Sequence, residues 1–124
     1  ALQLVEGVGP VLARALVAHF GGPRAVWARK AQELLAVPGL GVKTAKAMVA
    51  NAEPALRRAE LQAARAAQEG IRIRTYLDAD WPALLAPHAF MPLALFQKGE
   101  TPLGAQPAVA IVGTRAPTDY GRRQ

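Results

Sequence analysis

The stretch Val5-Glu-Gly-Val-Gly-Pro-Val-Leu-Ala-Arg-Ala-Leu-Val17 returns later in the chain as Val37-Pro-Gly-Leu-Gly-Val-Lys-Thr-Ala-Lys-Ala-Met-Val49. The offset is 32 residues throughout, pairing Gly7 with Gly39, Gly9 with Gly41, Ala13 with Ala45 and Leu16 with Met48. Self-similarity at a fixed offset marks a structural unit used twice. Each copy reads as an apolar residue, a Gly-x-Gly turn and then a helix with apolar positions at helical spacing. Glycine suits such a turn, because it reaches positive φ without steric cost and lets another group come close to the backbone. The helix that follows presents its first N–H groups and the positive end of its dipole at the same turn. A phosphate is the kind of group such a terminus holds.

This unit resembles the helix-hairpin-helix family, whose tandem form binds the DNA backbone without reading sequence. The two copies differ chemically. After the second glycine, copy one carries Pro10, Val11, Leu12 and Arg14, whereas copy two carries Val42, Lys43, Thr44 and Lys46. Two cations and a hydroxyl therefore stand at the start of the second helix. Copy two is expected to be the DNA-competent hairpin, through Gly39, Gly41, Lys43, Thr44 and Lys46, with copy one mainly its packing partner.

Composition narrows the class of partner. The 124 residues carry 15 Lys+Arg against 9 Asp+Glu, a net charge of +6, and 52% of them are hydrophobic. With a sequence pI near 10.5 and a mean hydropathy of +0.11, this is a globular, basic chain suited to a polyanion, nucleic acid before membrane. It contains no cysteine, which excludes disulfides, thiolate zinc sites and thiol catalysis. No apolar run approaches the length of a membrane span and no signal segment is visible, so a cytoplasmic location is expected.

Between the copies, Gly21-Gly22-Pro23 is expected to end one helix and open the next. Val26, Trp27, Leu34 and Leu35 should fill the core, and His19 reads as a helix-terminal histidine without a metal role. Residues 53–69 are strong helix formers, with Leu56, Ala59, Ala63 and Ala67 on one expected apolar face. Residues 1–69 are thus expected to form an all-α domain.

Residues 70–124 read as the incomplete opening of an α/β domain. Ile71 to Tyr76 alternates with period two, as a half-buried strand does. Asp80 to Leu85 looks like a short capped helix and Pro92 to Phe96 like a second strand. The run Pro107-Ala-Val-Ala-Ile-Val-Gly-Thr-Arg-Ala-Pro-Thr-Asp-Tyr-Gly121 reads as a third strand, Ala108 to Val112, buried on both faces, then a small-residue turn and a helix start. Strands separated by short helical pieces imply a parallel sheet. A strand, a glycine turn and a helix N-terminus also make an anion site, which Arg115 could grip bidentately. The spacing is neither GxGxxG nor GxxxxGK[ST].

Trp81-Pro-Ala-Leu-Leu85, Pro92-Leu-Ala-Leu-Phe-Gln-Lys-Gly99 and Ala110-Ile-Val-Gly-Thr-Arg-Ala-Pro-Thr-Asp-Tyr-Gly121 occur in that order. Together they resemble the DNA-processing protein A (DprA/Smf) family, with Trp81 standing where that family usually has tyrosine. The resemblance implies a helical SAM-like domain followed by an extended Rossmann-like domain. It implies a protein of natural transformation that binds and protects single-stranded DNA and loads a RecA-type recombinase, with no catalytic reaction and no cofactor. Gly113, Thr114 and Arg115 would form the phosphate-gripping turn, completed by Thr118, Tyr120 and Gly121 and supported by Lys98. The rest of the sheet and a homodimer surface would lie beyond residue 124.

Two other classes remain open on sequence alone. One is a nucleotide-phosphate-binding Rossmann-like enzyme of the lysine-decarboxylase-like class. Its need for tandem hairpins is hard to see, and the acidic residues form no constellation for metal or acid–base work. The other is a helical protein-interaction module whose hairpins do not touch DNA.

Overall fold

The computed structural model describes residues 1–100, 109 and 112–123. A short 3-10 turn, Leu2–Leu4, precedes six helices and two strands among these residues. They are α1 (Pro10–Phe20), α2 (Pro23–Trp27), α3 (Ala31–Leu34), α4 (Val42–Ala50), α5 (Ala52–Gln68), β1 (Ile71–Thr75), β2 (Ala94–Lys98) and α6 (Asp119–Arg123).

The repeat in sequence is a repeat in backbone conformation. The first glycine of each copy has positive φ, +83° at Gly7 and +85° at Gly39. The second is extended and caps the helix, with φ −79° at Gly9 and −82° at Gly41. Positive φ is therefore needed at only one glycine of each pair. Val8 N donates to Val5 O in the first turn, and Leu40 N donates to Val37 O in the second. Ala13, Leu16, Ala45 and Met48 are all fully buried, and with Val8, Val26, Leu34, Val37 and Leu40 they make one continuous core. Neither unit could bury its apolar side alone; each supplies the other's wall.

Gly21 adopts the left-handed conformation at the C-terminus of α1 and Pro23 opens α2. Val26 and Leu34 fill the core as expected and Trp27 packs partly against it, whereas Leu35 is exposed. The helix α3 ends at Leu34, and Leu35 lies past its last turn on the solvent side. His19 lies at the end of α1 in edge contact with Phe20, their centroids 4.6 Å apart.

The helix α5 ends where Gly70 takes φ +66°. Its buried residues are Ala55 and Ala66, and it packs on β1 and on the N-terminal turn. The face expected to pack was out of phase, since Leu56 is exposed and Ala63 and Ala67 are too. Small side chains face the close contact and the bulkier leucine is displaced outward.

Strands β1 and β2 pair antiparallel, with Ile71 opposite Lys98, Ile73 opposite Phe96 and Thr75 opposite Ala94. This corrects the expected parallel arrangement. A parallel pair needs a crossover, usually helical, and residues 76–93 contain only turns. The expected helix at Asp80 to Leu85 is replaced by turns in which Leu85 N donates to Pro82 O and Ala86 N to Ala83 O. The Asp80 carboxylate is paired with Arg74 and does not cap a helix. Of the expected strand Ala108 to Val112, only Val109 and Val112 lie among the described residues. Both stand outside any strand and are exposed. Among the described residues the sheet has two strands.

Candidate nucleic-acid interface

The second hairpin brings its expected residues together. Gly41 is the N-cap of α4, and no side chain caps this helix. Lys43 and Lys46 are exposed on the first two turns, and no described carboxylate lies within ion-pairing distance of either. Gly39 and Gly41 have nothing within 4 Å of where a side chain would begin, which leaves the turn open to a phosphate. Thr44 is placed differently. It is half-buried and faces the first hairpin, where a Cβ on Gly7 would meet its Oγ1 at 3.1 Å. Its side chain lies against the turn of the first hairpin.

The first hairpin has the same backbone and another surface. Pro10 opens α1 behind Gly9, and Val11 is exposed where copy two has Lys43. Arg14 occupies the station of Lys46. Its Nη1 donates to the His88 carbonyl at the long distance of 3.5 Å.

The loop at the end of the chain is exposed from Gly113 through Ala116. Thr114 Oγ1 accepts from Ala116 N at 3.3 Å, which folds the turn over its own hydroxyl. Thr118 caps α6, its Oγ1 accepting from Gly121 N at 3.3 Å while its carbonyl accepts from Arg122 N. Arg115 and Tyr120 are exposed, and Lys98 is exposed at the end of β2. No carboxylate pairs with Arg115 among the described residues. Thr114 and Thr118 are used locally, while Arg115, Tyr120 and Lys98 remain available.

Two residues escaped the sequence reading. Arg14 and Tyr76 line one cleft between α1 and the turn after β1. Burial raises the Tyr76 phenol above its ordinary pKa, partly offset by the Arg14 charge. A signal was present: Tyr76 is an aromatic residue just past a strand end, and Arg14 is the cation that both copies keep at one station.

Among the described residues no group of three or more His, Asp or Glu could hold a metal ion, and no helix is long and apolar enough to cross a membrane.

These features define a tandem helix-hairpin-helix unit joined to a small antiparallel strand pair, and residues 1–53 match the family of SAM-like helix-hairpin-helix tandems. Residues 72–124 match the family described as DNA recombination-mediator protein A. The chain is 34% identical, over 96% of its length, to Protein Smf of Synechocystis sp.. The chain is thus similar to this DprA/Smf family along most of its length. It spans 30% of the length of that relative. Over 50 residues, or 40% of the chain, it is also 42% identical to UvrABC system protein C of Salinispora arenicola and 46% identical to that of Parafrankia sp., spanning 8% and 7% of those proteins. No solved structure matches the chain.

Proposed function

We propose that this chain handles single-stranded DNA by gripping backbone phosphates at two places. The first is the exposed loop Gly113-Thr-Arg-Ala-Pro-Thr-Asp-Tyr-Gly121, with Arg115 as the bidentate cation, Tyr120 as a surface for a base and Lys98 in support. The second is the hairpin of Gly39, Gly41, Lys43 and Lys46, with Thr44 lying against the first hairpin. The observation that carries the reading is the uncapped N-terminus of α4, flanked by two exposed lysines without acidic partners, in a chain similar to the DprA/Smf family. Backbone contact of this kind is weakly sequence-specific and strongly salt-dependent.

The finer parts of the proposal follow from the family. The whole protein acts without catalysis and without a cofactor in the cytoplasm, protects incoming strands in natural transformation, loads a RecA-type recombinase and works as a homodimer. Residues 1–69 serve as the hairpin domain and residues 70–124 as the start of a Rossmann-like domain.

The test is fluorescence anisotropy of labelled single- and double-stranded oligonucleotides across a salt series, with wild type, Arg115→Ala and Lys43→Ala/Lys46→Ala. Tighter single-strand binding that Arg115→Ala weakens supports the loop. Equal binding of both strand types, indifferent to Arg115, moves the contact to the hairpin alone. Absence of binding at low salt overturns the proposal.

A further inference from the structure

We propose that the first hairpin holds one nucleotide of a bound single strand, with its base in the cleft between α1 and the turn after β1 and its phosphate on Arg14. The inference rests on the single-strand reading above and deepens it. It gives the copy without exposed lysines a ligand of its own.

The cleft has a volume of about 590 Å³, within the range of small-ligand sites. Its wall is apolar, formed by Val11, Ala15, Ala18, Leu77 and their neighbours, and only two of its side chains, Arg14 and Tyr76, are polar. The ligand that suits it has a flat apolar body, an acceptor at one edge and a negative charge beside it. A nucleotide has all three. In a duplex the face of the base is covered by its neighbours, so only an unstacked strand can offer it.

Arg14 has donors to spare. A guanidinium offers five N–H groups. The bond shown for this one goes to the His88 carbonyl at 3.5 Å, and no described carboxylate pairs with it. The Tyr76 ring packs against the core, which fixes it as part of the wall. Its phenol is protonated at neutral pH and can donate a hydrogen bond. The repeat provides an independent pointer. Arg14 and Lys46 occupy one station in the two copies, so each hairpin carries a cation on the second turn of its second helix. In copy two that cation faces open solvent, and in copy one it stands at the mouth of the cleft. A strand that crosses both hairpins meets a phosphate grip at each and a base-sized recess beside one.

The experiment compares a labelled oligo-dT with a strand of equal length in which abasic residues replace the thymidines, using the chain as wild type, Ala18→Trp and Arg14→Met. Ala18 lines the cleft and is exposed, so tryptophan there fills the recess without entering the core; unchanged thermal melting confirms the fold of each variant. Wild type is expected to prefer oligo-dT by about fivefold or more, the effect of one stacked base. Ala18→Trp should cut that preference by about fivefold, the share of one stacked base, and leave abasic binding unchanged, and Arg14→Met should weaken both strands. Photocrosslinking with 5-iododeoxyuridine should add mass to the peptide that carries Tyr76 and Leu77. A preference undiminished by Ala18→Trp, or adducts confined to Tyr120, overturns the cleft assignment while leaving the single-strand reading in place. Failure to bind either strand overturns both. Protection of the cleft by an apolar peptide, with oligo-dT binding unaffected, would assign the cleft to a protein partner and overturn the proposal.

Discussion

Gly7 in the first hairpin turn and Thr44 on the helix of the second hairpin stand so close that a Cβ on Gly7 would lie 3.1 Å from Thr44 Oγ1. The two copies of the repeat thus approach each other closely at this turn, with no room for a side chain on Gly7. Gly39, the counterpart of Gly7, shares its positive φ and has nothing within 4 Å.

That pair of glycines separates two costs. Gly39→Ala should lose about 1–2 kcal/mol for holding a side chain in the left-handed region. Gly7→Ala should lose about 1 kcal/mol more, because its methyl group also presses on Thr44. Chemical denaturation of the two variants measures both terms. Equal losses would show that the contact is slack.

Arg74 is nearly buried, its side chain 11% exposed, and it is paired with Asp80 and bonded to Gln97 Oε1 at 2.9 Å. Asp80→Ala removes its countercharge. Because Asp80 is itself 63% exposed, water screens the pair and the expected loss is about 1 kcal/mol. Arg74→Met keeps the buried stem and removes the charge together with its desolvation cost, so it should be milder than Arg74→Ala. Thermal melting of the three variants ranks them.

Lys43 and Lys46 are exposed and lack acidic partners, so replacing both with alanine should leave the melting temperature unchanged. On the proposed DNA reading, the slope of log affinity against log salt should fall by about 1.4 for a single strand, which is two phosphate contacts. An unaltered slope would remove the second hairpin from the interface.

Tyr76 gives a pH signature. Burial raises its folded pKa above the ordinary value of 10.0, so the unfolded chain loses that proton first. The contribution is fully present at neutral pH and is lost as pH rises from 10 through the folded value. Stability should fall in that alkaline window, and Tyr76→Phe should flatten the fall. Urea denaturation at a series of pH values from 8 to 11 tests it.

The hairpins were legible because a glycine with positive φ, an extended glycine and a buried alanine each leave a mark at a fixed offset, and Ala13 and Ala45 confirm the register. Phase was harder to read than existence. In α5 the eye follows Leu56 as the most apolar residue, but Ala55 and Ala66 face the contact, where closeness selects for small size. Strand direction was not written in β1 or β2 themselves. It depends on what joins them, and Asp80, which suits a helix cap, is diverted to Arg74. The candidate loop around Arg115 was found by motif alone, whereas the Arg14 and Tyr76 cleft needs tertiary structure, since the two residues come from distant parts of the chain.

The two buried alanines of α5 have a mechanical meaning. The helix is about 25 Å long, and it bears on the N-terminal turn and on β1. Methyl groups resist separation of two surfaces but offer few teeth against sliding. The helix is therefore held by close, small contacts, and a larger side chain at Ala55 or Ala66 would push it off the surface it rests on.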